Sequence, residues 1–365
     1  MFRGQLSVLF ICFDAKSPSP CRFPPQNGFC VNDFTIVRTR YALESTTHYM
    51  LCVVMEDYPR TILELERRFS TDDACREYLE LLRWPDGFVC PGCRVGEAWA
   101  MKDGLWLCRG CRRQVSVTAG TIFHRTRLPL TLWFRAIWYV TSQKNGTSAM
   151  GVQRVLGLGS YRTAWTWLHK LRRAMVRPGR DRLSGVVEVD ESFVGGEEPG
   201  REGRGAIKKT LVAIAAEEKG RSTGRIRMAC IPDASKPSLH GFVERVIETG
   251  SVIHTDGWAS YDGLEAHGYR HQVTVLKGKP KDAAVQAMPR VHRVASLLKR
   301  WLLGTHHGAV HAKHLEYYLD EFTFRFNRRT SRSRGKLFYR LLQQAVQVSP
   351  VPYSEIVKPQ HLGGG

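Results

Sequence analysis

Two cysteine pairs, Cys90-Pro-Gly-Cys93 and Cys108-Arg-Gly-Cys111, stand fourteen residues apart and constrain this chain more than any other feature. Two thiolates three positions apart in a tight turn can aim at one ion, and a second such turn completes a tetrahedral set of four sulfurs. The spacing predicts a zinc ribbon in which Cys90, Cys93, Cys108 and Cys111 hold Zn2+. A closed four-sulfur site leaves no open position for substrate, so its role is structural. Residues 98–108 predict a hairpin turning at Asp103-Gly104. Gly92 and Gly110 are expected to supply the backbone freedom of the two knuckles. The competing reading is two redox or disulfide pairs. No export signal is legible, because the apolar stretch 6–13 is too short to span a bilayer and no small-residue cleavage site follows it. The ten cysteines are therefore read in a reducing cytosol, where metal binding is favoured over disulfides.

Fifty-four Lys and Arg against 34 Asp and Glu give a net charge of +20. Such an excess suits a polyanion partner, since each cation placed on a phosphate releases condensed counterions. Charge alone does not separate a DNA protein from a ribosome-like binder or a membrane-surface protein. Residues 1–54 contribute little of it, with five basic and three acidic side chains. They contain scattered Cys12, Cys21, Cys30 and Cys52 and four prolines, and they show no lasting periodicity. This segment is expected to be a poorly organised extension, with Met50 or Met55 as a candidate start. Residues 55–84 predict two short helices, the second capped near Thr71 ahead of Asp72 and Asp73. The ribbon follows over 85–125, then a helical section over 126–178.

In that section 128–141 reads as an amphipathic helix with Trp133, Ile137 and Trp138 on one side. Helices over 147–156 and 163–175, joined by Gly157-Leu158-Gly159-Ser160, fit a helix-turn-helix. Its second helix bears His169, Lys170, Arg172 and Arg173, which could meet DNA; the alternative is a helical hairpin that only packs. From 179 to 345, short β-rich runs alternate with helical ones: three strands, a helix and two more strands, closed by helices over 291–303, 314–327 and 337–346. This is a mixed α/β pattern. Residues 346–365 read as a C-terminal tail.

The strand over 185–193 carries Glu188, Asp190 and Glu191. Alternation puts Glu188 and Asp190 on one face and Glu191 on the other. A second strand ends at Asp256. Two strand-borne aspartates can bind Mg2+ or Mn2+ between them, and two such ions suit in-line displacement at phosphorus. From spacing alone they read equally well as strand-end or turn residues.

The segments DESFVGG around Asp190, HTDGWASYDGL around Asp256, and SLLKRWLLGTHHG with HLEYYLDEFTFRFNRR resemble the Merlin-related bacterial insertion-sequence transposases. The resemblance covers residues 55–345. It implies a zinc ribbon joined to a ribonuclease-H-like catalytic core of the acidic-triad kind, with Asp190 and Asp256 as the first two metal ligands. The commonest pattern places a glutamate seven residues before the Lys-Arg pair. Counted back from Lys299-Arg300, that position holds His292. A neutral imidazole ligates Mn2+ better than Mg2+. The alternatives are a surface histidine and a copy that has lost its third acid.

Lys299 and Arg300 are candidate contacts to phosphates flanking the scissile bond. The same reading covers Arg112 and Arg113 in the ribbon, Lys208 and Lys209 in the glycine-rich excursion 200–209, and the basic stretch 325–336, unless these are solvated faces. The expected activity is metal-dependent cleavage at element ends and 3′-hydroxyl strand transfer into target DNA, by a homo-oligomer assembled on the element's terminal repeats. The alternative is a catalytically decayed or host-adopted DNA-binding protein.

Overall fold

A computed structural model describes residues 10–11, 34–43, 46–177, 179–195, 209–275, 286–308 and 310–358. The chain forms two compact units, 1–59 and 60–365. In the first, β1 (Phe10–Ile11), β2 (Phe34–Leu43) and β3 (Thr46–Met55) form an antiparallel sheet in the order β1-β3-β2. The β2–β3 hairpin falls within the segment expected to be a poorly organised extension. Cys12, Cys21 and Cys30 lie outside the described residues.

The second unit opens with α1 (Ile62–Arg68) and α2 (Asp72–Arg83). Thr61 accepts a hydrogen bond from the Glu64 N–H and Thr71 one from the Ala74 N–H, so each helix starts on a side-chain cap. The ribbon is a three-stranded antiparallel sheet of β4 (Ala98–Ala100), β5 (Leu105–Cys108) and β6 (Gln114–Ser116), and Gly104 turns the first hairpin at φ +72°. Three helices follow: α3 (Leu130–Ser142), α4 (Ala149–Leu156) and α5 (Tyr161–Ala174). Trp133 and Trp167 stack with ring centroids 3.8 Å apart inside one apolar core shared by α1 to α5.

The sheet behind the candidate site has the order β11-β10-β7-β8-β9. Strands β7 (Val186–Val194), β8 (Thr210–Lys219) and β9 (Ser222–Ile231) run antiparallel. After α6 (Lys236–Val246), β10 (Val252–Thr255) pairs parallel to β7, and β11 (Arg270–Val273) parallel to β10. Three antiparallel strands extended by two parallel ones make the ribonuclease-H-like mixed sheet. Val187, Val189, Ala213 and Ala215 face α6, whereas Val212, Ile214 and Ala216 face α7 (Pro289–His306) and α8 (Leu315–Asn327).

Helix α8 also covers the free edge of β9. The Asn327 carboxamide pairs with both backbone groups of Ile226, at 2.8 and 3.1 Å, and Glu316 accepts from the Cys230 N–H at 2.5 Å. Edge groups that would recruit another strand are thereby satisfied. The next helix, α9 (Arg334–Ala345), returns to the first helical core, where Phe338 meets Phe69, Phe134 and Trp138. The chain thus closes on its own N-terminal helices before α10 (Tyr353–Val357). Among the described residues no helix is long and apolar enough to cross a membrane.

Candidate functional site

The four ribbon sulfurs converge. Their Sγ atoms all lie within 4.8 Å of one another, with Cys90 to Cys111 at 3.6 Å and Cys93 to Cys108 at 3.4 Å. A tetrahedron of Zn–S bonds near 2.3 Å has edges of roughly 3.8 Å, so the set fits Zn2+. Backbone N–H groups of Cys93 and Gly92 at its sulfur hold the Cys90 thiol down to about 6. That favours the thiolate a metal needs.

The glycines act differently from expectation. The left-handed positions are Arg94 (φ 63°) and Arg112 (φ 58°), directly after each knuckle. Gly110 is needed for space instead, since a Cβ there would come within 2.9 Å of the Val95 side chain, whereas at Gly92 it would meet only the displaceable guanidinium end of Arg113 at 2.8 Å. Arg109 and Arg112 both lie over the exposed Trp99 ring.

The second site sits where β7, β10 and α7 meet. Asp190 points from β7 toward α7, and its Oδ2 lies 3.8 Å from His292 Nδ1. His292 is not a surface residue: its side chain is 27% exposed, and its Nε2 is buried with no hydrogen-bond partner. Burial lowers the His292 pKa, although Glu188 and Asp256 oppose the shift. Burial, then the charges of Glu191 and Asp256, raise Asp190 to about 7 against the opposing Glu191 N–H and Lys299. Lys299 is itself lowered by burial and by neighbouring Lys209, and supported by Asp190. Two lysines therefore flank the carboxylates.

Asp256 follows β10 in a loop held in place from both sides. Its Oδ1 accepts from the Trp258 N–H at 3.0 Å, and the buried Tyr261 hydroxyl donates to Glu191 on β7 at 3.0 Å. Between them Gly257 adopts φ +82°, and a Cβ would lie 2.9 Å from Val273, so the turn requires glycine.

Glu188 had been placed on the Asp190 face without a role. It is fully buried and accepts from the backbone N–H groups of Arg290 (2.7 Å) and Val291 (2.9 Å) and from the Arg290 guanidinium (2.7 Å). Its carboxylate therefore caps the first turn of the helix that carries His292.

Crowded carboxylates with a raised Asp190 and an orphaned imidazole nitrogen are the donor set a divalent cation would relieve. Among the described residues, the cysteines are the one group of three or more potential ligands whose donor atoms all fall within 4.8 Å. Asp190, Asp256 and His292 are not such a group.

The helix-turn-helix shape is present, but its charge faces inward. Arg172 is 2% exposed and bonds Glu321 at 2.8 Å, and His169 is fully buried. Arg172 is therefore corrected from a DNA contact to a core ion pair. Lys170 is half-buried and lowered by burial, while Arg173 is exposed. The hairpin packs its second helix against α8. Arg112, Arg113, Lys299 and Arg300 are exposed, Lys209 is half-buried, and Lys208 with residues 200–207 lies outside the described residues. The basic stretch 325–336 is also partly structural. Arg325 pairs with Glu321, Arg328 covers the Phe324 ring, and Arg329 bonds the Thr223 carbonyl.

A thiolate-clamped ribbon ahead of a ribonuclease-H-like sheet, with Asp190 inside one strand facing an imidazole and Asp256 at the end of the neighbouring strand, is the build of a DNA-processing transposase. Known proteins agree with it. Residues 182–327 match the family model described as ISXO2-like transposase domain, and 70–114 match the one described as Transposase zinc-ribbon domain. The chain is 27% identical over 295 residues to an "Uncharacterized protein in transposable element ISH50" of Halobacterium salinarum, across 74% of this chain and 95% of the relative. It belongs with the transposases of IS1595-type insertion sequences. The first match spans Asp190, Asp256 and His292, and the second all four ribbon cysteines.

Proposed function

We propose that this protein cleaves DNA at the ends of its element and joins the freed 3′-hydroxyl to target DNA. The observation that carries the reading is the approach of His292 to Asp190 at 3.8 Å across the β7–α7 contact, with Asp256 acting on both. Asp190, Asp256 and His292 would hold Mg2+ or Mn2+, which when bound supplies Lewis-acid activation of a water or 3′-hydroxyl and stabilises the leaving oxygen. Lys299 and Lys209 set positive charge beside Asp190 and are suited to orient the phosphate flanking the scissile bond. Glu188 holds the first turn of α7, and Tyr261 with Glu191 holds the Asp256 loop, so the donor groups stand preorganised on rigid elements. The ribbon, carrying Zn2+, would present Arg112 and Arg113 to DNA or to a second subunit, and joining two element ends calls for a dimer or larger assembly in the bacterial cytoplasm.

The test is a strand-cleavage and joining assay on the element's terminal DNA with Mn2+ or Mg2+, comparing the wild type with Asp190→Ala and His292→Ala. Metal-dependent joining abolished by both substitutions is the expected result. DNA binding without cleavage under either metal would replace this reading with that of a decayed, DNA-binding relic.

A further inference from the structure

A second concentration of charge lies beyond the free edge of β9, two strands from Asp190 and on the side away from β10 and Asp256. There the turn between α5 and β7, the start of β9, and helices α8 and α9 enclose a cavity of about 580 Å3 lined by six arginines and one carboxylate, Asp181. Two of the arginines are neutralised: Arg177 pairs with Asp181, and Arg225 with Glu217. Among the described residues, Arg180, Arg227 and Arg328 have no carboxylate at ion-pairing distance.

Arg227 is 6% exposed and donates to the carbonyls of Ile226 (3.0 Å) and Asp181 (2.6 Å). Carbonyls satisfy its N–H geometry without cancelling its charge. Arg328 rests on the Phe324 ring at 4.1 Å. Burial, with Arg180 and Arg225 alongside, pulls Arg227 down to about 10 against the opposing charges of Glu217 and Asp181. Burial, with Arg340 and Arg177 alongside, does the same to Arg328. Gln344, 7% exposed in the cavity wall, has an Oε1 without a partner. Turning its carboxamide over would offer the cavity two donors.

Buried, mutually repelling guanidinium groups are costly unless an anion joins them, and their planar forks match phosphate oxygens. Arg180 also lines an adjoining cavity of about 290 Å3 with Arg173 and Arg245, where the carboxyls of Glu316 and Asp320 stand beside these arginines.

We propose that this cavity is a phosphate-binding site separate from the carboxylate site, and that a DNA backbone supplies the phosphates. The inference does not depend on the cleavage chemistry. It would give the protein a second hold on DNA at the outer edge of its sheet.

The test measures affinity for a 20-base-pair duplex against salt, without Mg2+ or Mn2+, for the wild type, Arg180→Gln and Arg340→Gln. Circular dichroism would check folding, and Arg180→Lys keeps the charge. Each Gln variant should lower the slope of log affinity against log salt by about 0.9 per lost phosphate contact. Arg180→Lys should retain most of the slope. In parallel, tripolyphosphate should raise the wild-type melting temperature and do so less in the Gln variants. A tripolyphosphate response lost in the variants beside unchanged DNA slopes would overturn DNA as the source and leave a site for free phosphates. Unchanged slopes with no tripolyphosphate response would overturn the site altogether. Wild-type protein that fails at strand joining but shows these slope changes would count against the proposed activity alone.

Discussion

Glu188 on β7 accepts hydrogen bonds from the backbone N–H groups of Arg290 and Val291, so the strand that carries Asp190 also fixes the first turn of the helix that carries His292. The two halves of the candidate site are joined by a buried carboxylate two residues from one of them. Glu188→Ala leaves two helix N–H groups without their acceptor and Arg290 with Glu218 as its remaining carboxylate partner. Breaking a buried pair of this kind costs about 3 to 5 kcal/mol. Urea unfolding should show that loss, whereas Glu188→Gln, which keeps one acceptor oxygen, should lose less. Strand joining should fall in both variants under conditions where they remain folded. A Glu188→Ala protein of wild-type stability would show that the cap is not needed.

Arg172 and Arg173 are neighbours in sequence with opposite fates, and their substitution should separate packing from DNA contact. Arg172→Ala leaves Glu321 buried opposite Arg325 alone and should cost about 3 to 5 kcal/mol of stability. Arg173→Ala should leave stability within about 0.5 kcal/mol and weaken DNA binding, most visibly at low salt. Thermal melts and fluorescence anisotropy on both variants give the comparison. If Arg172→Ala melts like the wild type, the ion pair is not holding α5 to α8.

The sequence-legible parts of the molecule are those whose cause is local. Two C-x-x-C spacings bring four sulfurs together because each pair lies within one turn. Thr61 and Thr71 announce helix starts because a cap acts over three residues. Asp190 and Asp256 came from motif resemblance as much as from strand pattern. What was hidden depends on distant partners. Arg172 reads as a groove-facing cation until Glu321, 149 residues later, turns it inward. Glu188 finds its partners 102 and 103 residues away. Helix α9 packs beside α3 from far along the chain. No periodicity in a short window carries such information.

Metal removal should unfold the ribbon locally. Its own apolar core consists of Phe88, Val115 and the buried cysteines, with Trp84, Ala98 and Trp106 packed around them, too little to persist without the ion. One Zn2+ per chain is expected by elemental analysis. A strong chelator should break the contact of Phe88 with Trp106, whose rings lie 5.6 Å apart, and so change tryptophan fluorescence. Helical circular dichroism, which arises from cores outside the ribbon, should change little. Fluorescence that ignores complete zinc loss would count against a metal-dependent ribbon.

Acidification should remove the contribution of His169 to stability before it removes that of Glu321. Burial, with Arg172, His314 and His306 nearby, pulls His169 from 6.5 down to about 2. Burial would raise Glu321, but Arg325 and Arg172 outweigh it and hold that group at about 2 against 4.5. Both folded-state values are depressed, so the unfolded chain binds the extra proton first. The His169 contribution is full above 6.5 and lost as pH falls below it, and that of Glu321 follows below 4.5. Each group tends toward about 1.4 kcal/mol per pH unit inside its window. Asp190, raised to about 7, and Asp320, raised to about 8, act with the opposite sign over the same range, so the His169 contribution is read against His169→Gln: the difference in melting temperature between wild type and variant should shrink as pH falls below 6.5. A difference that stays constant down to pH 4.5 would show that His169 protonates without cost.

His292→Glu tests whether the imidazole stands where an acid would serve. The substitution adds a further carboxylate beside Asp190, Glu191 and Asp256, where burial and then crowding already raise Asp190 to about 7. Without divalent ions the variant should melt below the wild type, because like charges repel in a partly buried site. With Mg2+ the order should reverse: an all-oxygen donor set suits that hard ion better than one containing imidazole, and a ligand that binds only the folded state raises its stability. The wild type should in turn respond more to Mn2+ than to Mg2+, as a nitrogen donor implies. Melting temperatures of both proteins with each ion and with none give the answer independently of any activity. If neither ion moves the melting temperature of either protein, residue 292 is not a ligand, and the buried Nε2 needs another explanation.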